Sequence, residues 1–267
     1  MRVARFSHGG DPVFGVVELT VDGGPNPQTV AVVTGDPLAG PVHYTGERVD
    51  LAAIRLLSPV IPRSKVIGVG RNYAAHAAEL GNLVPELPLT FFKPNTSVIG
   101  PGEAIVLPPE TSNLHFEGEL AVVIGRIARR VPRERAPEVI FGYTVGNDVT
   151  ARDLQQTDGQ WTRAKGFDTF CPLGPWIVTH LGLDDVDGLD ITTTLNGEAR
   201  QQGNTSAMTY KVADLIAHIS DFTTLLPGDV ILTGTPAGVG QMVSGDEVSV
   251  TIDGIGTLTN PVVGQEA

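Results

Sequence analysis

Two glutamates one residue apart, Glu117 and Glu119, stand where an apolar run begins: Phe116-Glu117-Gly118-Glu119-Leu120-Ala121-Val122-Val123-Ile124. A strand over residues 116–124 turns alternate side chains to one face, so both carboxylates point the same way as Ala121 and Val123. Leu120, Val122 and Ile124 line the other face, and the strand reads as buried on both sides. Two parallel carboxylates out of water cost several kcal/mol unless their charge is neutralised, as for other buried ions. A shared proton or a bound cation relieves that cost, and a frayed, solvated strand end avoids it. The motif alone leaves these readings open.

Asp148 offers a third carboxylate, in Gly146-Asn-Asp-Val-Thr-Ala-Arg-Asp153 at the end of a strand expected over residues 139–145. There Thr150 and Asp153 help to cap a following turn, and the competing reading is a capped turn with surface charges. Three carboxylates without a Cys/His cluster select a hard cation, Mg²⁺ or Mn²⁺. In Tyr73-Ala-Ala-His76-Ala-Ala-Glu79 a helical spacing of three sets His76 beside Glu79,. A carboxylate fixes the imidazole tautomer and makes a better general base, unless the pair merely faces solvent.

Two glycine-punctuated loops follow, Lys165-Gly-Phe-Asp168 and Thr233-Gly-Thr235-Pro-Ala-Gly-Val-Gly240. A lysine favours developing negative charge, and a glycine-rich loop turns backbone N–H groups to an anion. Neither is a nucleotide signature: the second lacks a Gly-Lys-Ser/Thr ending, and Gly68-Val-Gly70-Arg71-Asn-Tyr73 lacks the last glycine of a dinucleotide loop,. Cys171, between Phe170 and Pro172, reads as packing rather than as a nucleophile,.

The elements that must position these residues are mostly strands. Short alternating runs at 2–7, 13–19 and 29–33 are separated by Gly/Pro/Asp clusters, and a short helix is expected at 51–57 before Pro59 and Pro62,. A boundary near residue 60 divides a small N-terminal domain, 1–60, from a larger one, 61–267. In the latter, Lys65-Val-Ile-Gly-Val-Gly70 reads as a strand and 73–80 as a helix,. Residues 81–88 read as a mobile connection, and apolar positions at helical spacing predict a helix over 212–225. Val230-Ile-Leu232 reads as a short buried strand. Asn196-Gly197 and Asp253-Gly254 predict tight hairpin turns,.

The chain is acidic, with a net charge of −12, which argues against nucleic acid or an anionic membrane as partner,. The 32 glycines and 20 prolines fall between apolar runs, in keeping with many turns and a strand-rich fold,. No apolar run approaches the length of a membrane span, and the first residues lack the long apolar segment of a signal peptide. With one cysteine, an internal disulfide and a Cys-based zinc site are excluded and cytoplasm is the expected compartment,.

In this order, Gly70-Arg-Asn-Tyr-Ala-Ala-His76, Phe92-Lys-Pro94, Glu117-Gly-Glu119, Asn147-Asp-Val-Thr-Ala-Arg-Asp-Leu-Gln155, Lys165-Gly-Phe-Asp168, Leu226-Pro-Gly-Asp229 and the 233–240 loop resemble the fumarylacetoacetate hydrolase family. The resemblance covers about residues 65–263. It implies an α+β, strand-rich fold, a mixed β-sandwich roll, with a small N-terminal β-rich domain ahead of it, assembled as a homodimer. It further implies that Glu117, Glu119 and Asp148 ligate Mg²⁺ or Mn²⁺ and that Lys165 stands near a substrate enolate oxygen. Arg71, Gln156 and Thr235 would surround a small 2-oxo acid substrate, and His76 with Glu79 would act from a lid. The implied chemistry passes through an enolate held at the cation. The His76/Glu79 pair favours C–C cleavage, by acylpyruvate hydrolysis or oxaloacetate decarboxylation. Isomerisation of a 2-hydroxyhepta-2,4-diene-1,7-dioate is the alternative, and a catalytically silent 2-oxo acid or metal-binding protein is a reading of another class.

Overall fold

A computed structural model describes residues 1–19 and 27–264. Twelve strands form one long sheet, and two smaller sheets of three and five strands pack beside it. The large sheet begins with the N-terminal strands and crosses at Arg2–Ser7 to Cys171–Val178. It continues through Ile140–Asn147, Gly118–Ile124, Val230–Leu232 and Val66–Gly70 to an edge at Leu89–Lys93. Most pairings are antiparallel, but Val230–Leu232 runs parallel to Val66–Gly70, so the sheet is mixed. This is the expected α+β, strand-rich roll. Residues 1–60 contribute their strands to the same sheet as the rest of the chain.

Gly118–Ile124 lies at the centre and is buried along its whole length. Leu120, Val122 and Ile124 pack on the face shared with the helix Val212–Phe222, through Leu215, Ile216 and Ile219. Ala121 and Val123 face the other way, onto Leu173, Ile177 and Leu232. Fully burying each such aliphatic side chain stabilises by about 1.5–3 kcal/mol. The strand that carries the glutamates is therefore among the most firmly held parts of the molecule.

Three expectations need correction. The strand foreseen over 116–124 is broken at Glu117. Leu114–Phe116 pairs with Thr150–Ala151 and Gly240–Met242, whereas Gly118–Ile124 pairs with Ile140–Asn147 and Val230–Leu232. Apolar periodicity does not register the change of sheet, because both halves are buried. The expected helix at 51–57 is only a 3₁₀ turn, Leu51–Ala53, capped by Asp50, before the strand Arg55–Leu57 pairs with Arg2–Ser7. The helix expected to 225 stops at Phe222, since Leu225 exchanges backbone hydrogen bonds with Ala128. The Asn196-Gly197 turn is present, both residues having positive φ, as is a turn at Asp253-Gly254.

Candidate metal centre and active-site cavity

The two strand ends that carry the carboxylates are pinned to each other. Glu117 N–H donates to the Asn147 side chain (2.9 Å), and Asp148 N–H donates to the Glu117 carbonyl (2.9 Å). Gly118, between the glutamates, sits against the five-stranded sheet, where a Cβ would lie 2.3 Å from Thr193 Oγ1. One carboxylate oxygen each from Glu117, Glu119 and Asp148 falls within 4.8 Å of the others, a group that could hold a metal ion. All three residues are buried.

Cations hold two of the three carboxylates. Arg152 donates to Glu117 Oε1 (2.5 Å), and Lys165 Nζ bridges Glu117 Oε2 (2.8 Å) and Asp148 Oδ2 (2.6 Å). Lys93 Nζ holds the other Asp148 oxygen, Oδ1, at 2.6 Å. Burial opposes the ionisation of Glu117, but Lys165 and Arg152 outweigh it and hold its carboxyl well below the usual range,. Burial likewise opposes the charge on Lys165, and Asp148 and Glu117 overcome it, so this ammonium is stabilised. Glu119 differs. It has no cation in contact among the described residues, only Gly234 N–H donating to Oε2 (2.7 Å). Burial, then the charges of Asp148 and Glu117, push its carboxyl well above the usual range,. A divalent cation supplies what Glu119 lacks, and an all-oxygen donor set suits Mg²⁺ or Mn²⁺. By this test the residues fit a hard cation.

A cavity of about 270 Å³ opens onto this group, lined by Arg71, His76, Glu117, Glu119, Gln156, Lys165 and Thr235 among others. Of the nine residues to which the resemblance gives a catalytic, substrate or metal role, Glu79 and Asp148 do not line it. Asp148 belongs to the triad, and Glu79 Oε2 lies 3.2 Å from His76 Nδ1. His76 is buried, so the pair does not simply face solvent. Thr235 is already committed: its hydroxyl donates to Gly118 O (2.9 Å) and accepts from Gln201 (2.7 Å). The 233–240 loop does present N–H groups to anions, but to the protein's own: Gly234 to Glu119 and Gly238 to Glu79 (3.0 Å). Asp168 is exposed and outside the site, and Thr150 donates to the Asp148 carbonyl (2.8 Å). Cys171 is buried, its thiol pushed up to about 12 by burial, in keeping with packing.

Sequence reasoning gave no role to Arg152, Gln155, Lys93, Phe91 or Trp161. Trp161 lines the cavity and meets Phe91 edge-on, with ring centroids 5.4 Å apart. Arg71 lies over Trp161 (5.9 Å) and Lys165 over Phe91 (5.0 Å),. This aromatic pair explains Gly68 and Gly70: a Cβ would come within 2.1 Å of the Phe91 ring and 2.6 Å of the Trp161 ring, respectively. Those glycines seat aromatic rings and cradle no phosphate. Next to them Arg71 adopts a left-handed backbone, φ 57°, uncommon outside glycine and frequent at functional sites,.

Residues 65–263 match the family model described as fumarylacetoacetate (FAA) hydrolase C-terminal, and residues 1–59 match one described as Rv2993c-like, N-terminal. Protein Rv2993c of Mycobacterium tuberculosis is 51% identical over 263 residues, 98% of each chain. Oxaloacetate tautomerase Fahd2a, mitochondrial, of Rattus norvegicus is 44% identical over 218 residues, 79% of this chain and 70% of that one. Among solved structures, the crystal structure of 2-hydroxyhepta-2,4-diene-1,7-dioate isomerase from Mycobacterium marinum superposes with a TM-score of 0.90 at 48% identity, covering 100% of both chains.

Proposed function

The chain belongs to the fumarylacetoacetate hydrolase family, and we propose that it is a divalent-metal-dependent enzyme moving a proton at C3 of a small 2-oxo or 2-hydroxydienoic diacid. The observation that carries this reading is that His76, with Glu79 behind it, lines the same cavity as the Glu117/Glu119/Asp148 group and Lys165. Bound by those three carboxylates, Mg²⁺ or Mn²⁺ supplies a Lewis acid that favours negative charge on the oxygen at C2. The Lys165 ammonium, kept charged by Asp148 and Glu117, adds a second positive charge beside that oxygen,.

His76 Nδ1 is turned to Glu79, so Nε2 is the nitrogen left to take or return the C3 proton,. Arg71 and Gln156, on the cavity wall, bind the distal carboxylate, with Trp161 backing the Arg71 guanidinium. Thr235 contributes by fixing the Gly118 carbonyl between the two glutamates. An oxaloacetate tautomerase and a 2-hydroxyhepta-2,4-diene-1,7-dioate isomerase among the relatives support proton transfer, since tautomerisation and isomerisation of this kind move a proton. The second reading is C–C cleavage, acylpyruvate hydrolysis or oxaloacetate decarboxylation, supported by the same dyad acting on a water instead of a C–H bond.

A Mg²⁺- or Mn²⁺-supplemented panel of enol-oxaloacetate, 2-hydroxyhepta-2,4-diene-1,7-dioate and acetylpyruvate tests these readings. Loss of the enol or diene absorbance without release of pyruvate or CO₂ is the expected result. Pyruvate formed in step with substrate loss replaces the reading with cleavage. Metal binding without turnover of any of the three leaves a sensor. The same proposal takes residues 1–60 as a domain appended to a catalytic domain over 61–267, in a cytoplasmic homodimer. Light scattering at the 28.1 kDa of one chain would remove the dimer from it,.

A further inference from the structure

Of the three cations that hold these carboxylates, Lys93, Lys165 and Arg152, Lys93 alone takes no part in lining the cavity. Its side chain is fully buried, 0% exposed, in the edge strand Leu89–Lys93. Lysine is almost never buried to that degree unless it is paired, because its ammonium gives up hydration. Here Nζ donates to Asp148 Oδ1 at 2.6 Å and lies 3.3 Å from the Val149 carbonyl. Asp148 does not need it for neutralisation, since Lys165 already holds the other oxygen at 2.6 Å. Structural pairing alone therefore leaves the second lysine without a purpose.

Charge balance gives it one. With Glu117, Glu119 and Asp148 all ionised, as ligation requires, three negative charges meet three buried cations, Lys93, Lys165 and Arg152. A divalent cation gives Glu119 its missing partner, but by itself it leaves the centre with two net positive charges in a poorly solvated place,. A ligand bringing two negative charges to the cation restores the balance. A carboxylate next to an enolate oxygen has that charge.

We propose that Lys93 is a positioning residue that fixes Asp148 by Oδ1 and whose buried charge makes divalent-cation binding depend on a dianionic ligand. The proposal rests on the metal-dependent reading above and deepens it, by assigning the site a preference for a dianion at the cation. Linkage makes the effect reciprocal: what the anion adds to cation affinity, the cation adds to anion affinity.

Calorimetric titration of the wild-type protein with Mn²⁺, with and without saturating oxalate as a dianion probe, measures the coupling without any turnover. Oxalate is expected to tighten Mn²⁺ binding at least about tenfold, within the usual range of coupling between sites. Lys93→Gln keeps a donor towards Asp148 without the charge, and Lys93→Met keeps the length alone. Both are expected to bind Mn²⁺ by itself as tightly as wild type or more so, with the oxalate coupling reduced at least about threefold. Mn²⁺ binding that weakens in both variants, or coupling that stays at the wild-type value, overturns the proposal and leaves Lys93 a structural residue. Should neither variant fold, the wild-type titration still decides, because equal Mn²⁺ affinity with and without oxalate also overturns it. Failure of wild type to bind Mn²⁺ or Mg²⁺ under either condition removes the metal-dependent reading itself, a result distinct from the others.

Discussion

The floor and the roof of the cavity are held in opposite ways. On the floor, Glu117, Glu119 and Asp148 stand at the ends of central strands, and every one of them accepts a hydrogen bond from a buried lysine, an arginine or a backbone N–H. The roof is the six-residue helix Ala74–Glu79, which has no side-chain cap. Its ties are few: Glu79 accepts from Gly238 N–H, and the Tyr210 hydroxyl donates to the Pro85 carbonyl (2.7 Å) in the segment after it. Several side chains there, Leu83 and Leu87 among them, are largely exposed. A floor arranged before any ligand arrives does not have to reorganise during reaction, which is where preorganised electrostatics has its value. A roof held by a few bonds is expected to open at low cost, as the lid proposed for it must.

The largest effect should come from the floor. Glu119→Gln removes the one carboxylate without a cation and is expected to lower metal-dependent turnover by at least about 10³-fold, on the scale of losing a principal electrostatic group. The same change should stabilise the EDTA-treated protein at neutral pH. The folded carboxyl of Glu119 is raised above its ordinary 4.5, so over the interval between the two values the folded state binds a proton that the unfolded state has released,. Wild-type stability without metal therefore falls as pH rises from about 4.5 through the raised value, and the variant should lose that decline. Thermal melts of both proteins across pH check this, and parallel curves would show that Glu119 ionises freely.

Next in size is the residue that joins roof to floor. His76→Ala should reduce kcat by about 10²–10⁴-fold, the usual worth of a general base, while Mn²⁺ affinity is retained because the floor is untouched. If Mn²⁺ affinity falls with kcat, roof and floor do not act separately. Hydrogen exchange across residues 72–90 then tests the lid itself. Protection should rise when Mn²⁺ and oxalate are added, and equal exchange with and without them would make the helix a fixed wall.

The floor's three carboxylates and Lys165 were legible in the sequence, and Lys93 and Arg152 were not, for a physical reason. Glu117 and Glu119 announce themselves through strand alternation, and Asp148 through its place after an apolar run. Lys93, by contrast, meets Asp148 from 55 positions away, and Arg152 meets Glu117 from 35. No local period records such a pairing. Lys93 stands within the Phe92-Lys-Pro94 segment of the resemblance, and its place directly after two phenylalanines is a local signal that its charge is not an ordinary exposed one. Gly68 and Gly70 were judged against a phosphate loop because glycine spacing is visible, while the rings of Phe91 and Trp161 that require them come from elsewhere in the chain. The break at Glu117 was hidden because burial on both sides of it reads as one strand. On the roof, His76 and Glu79 were legible as a helical pair, but the N–H that holds Glu79 comes from Gly238 of the 233–240 loop, which only folding brings to it.

The smallest expected effect concerns the tie beyond the roof helix. Tyr210→Phe deletes the hydroxyl that donates to Pro85 O and keeps the ring, and a single hydrogen bond of this kind contributes about 0.5–1.5 kcal/mol,. Asn72 holds the Tyr210 backbone independently, accepting from its N–H (2.8 Å) and donating to its carbonyl (3.0 Å), so the substitution should act on the 81–88 segment and leave the surrounding fold in place. The melting temperature should then change by only a few degrees, as expected for a loss of that size. Exchange of the amides at 81–88 should quicken roughly 2- to 10-fold, the equivalent of the same free energy. Exchange on the floor strand Gly118–Ile124 should stay as in wild type, because opening there requires the central sheet to part,. A variant in which both regions exchange faster by the same factor would mean that lid and floor open as one cooperative unit. The contrast between a fixed floor and a movable roof would then be wrong.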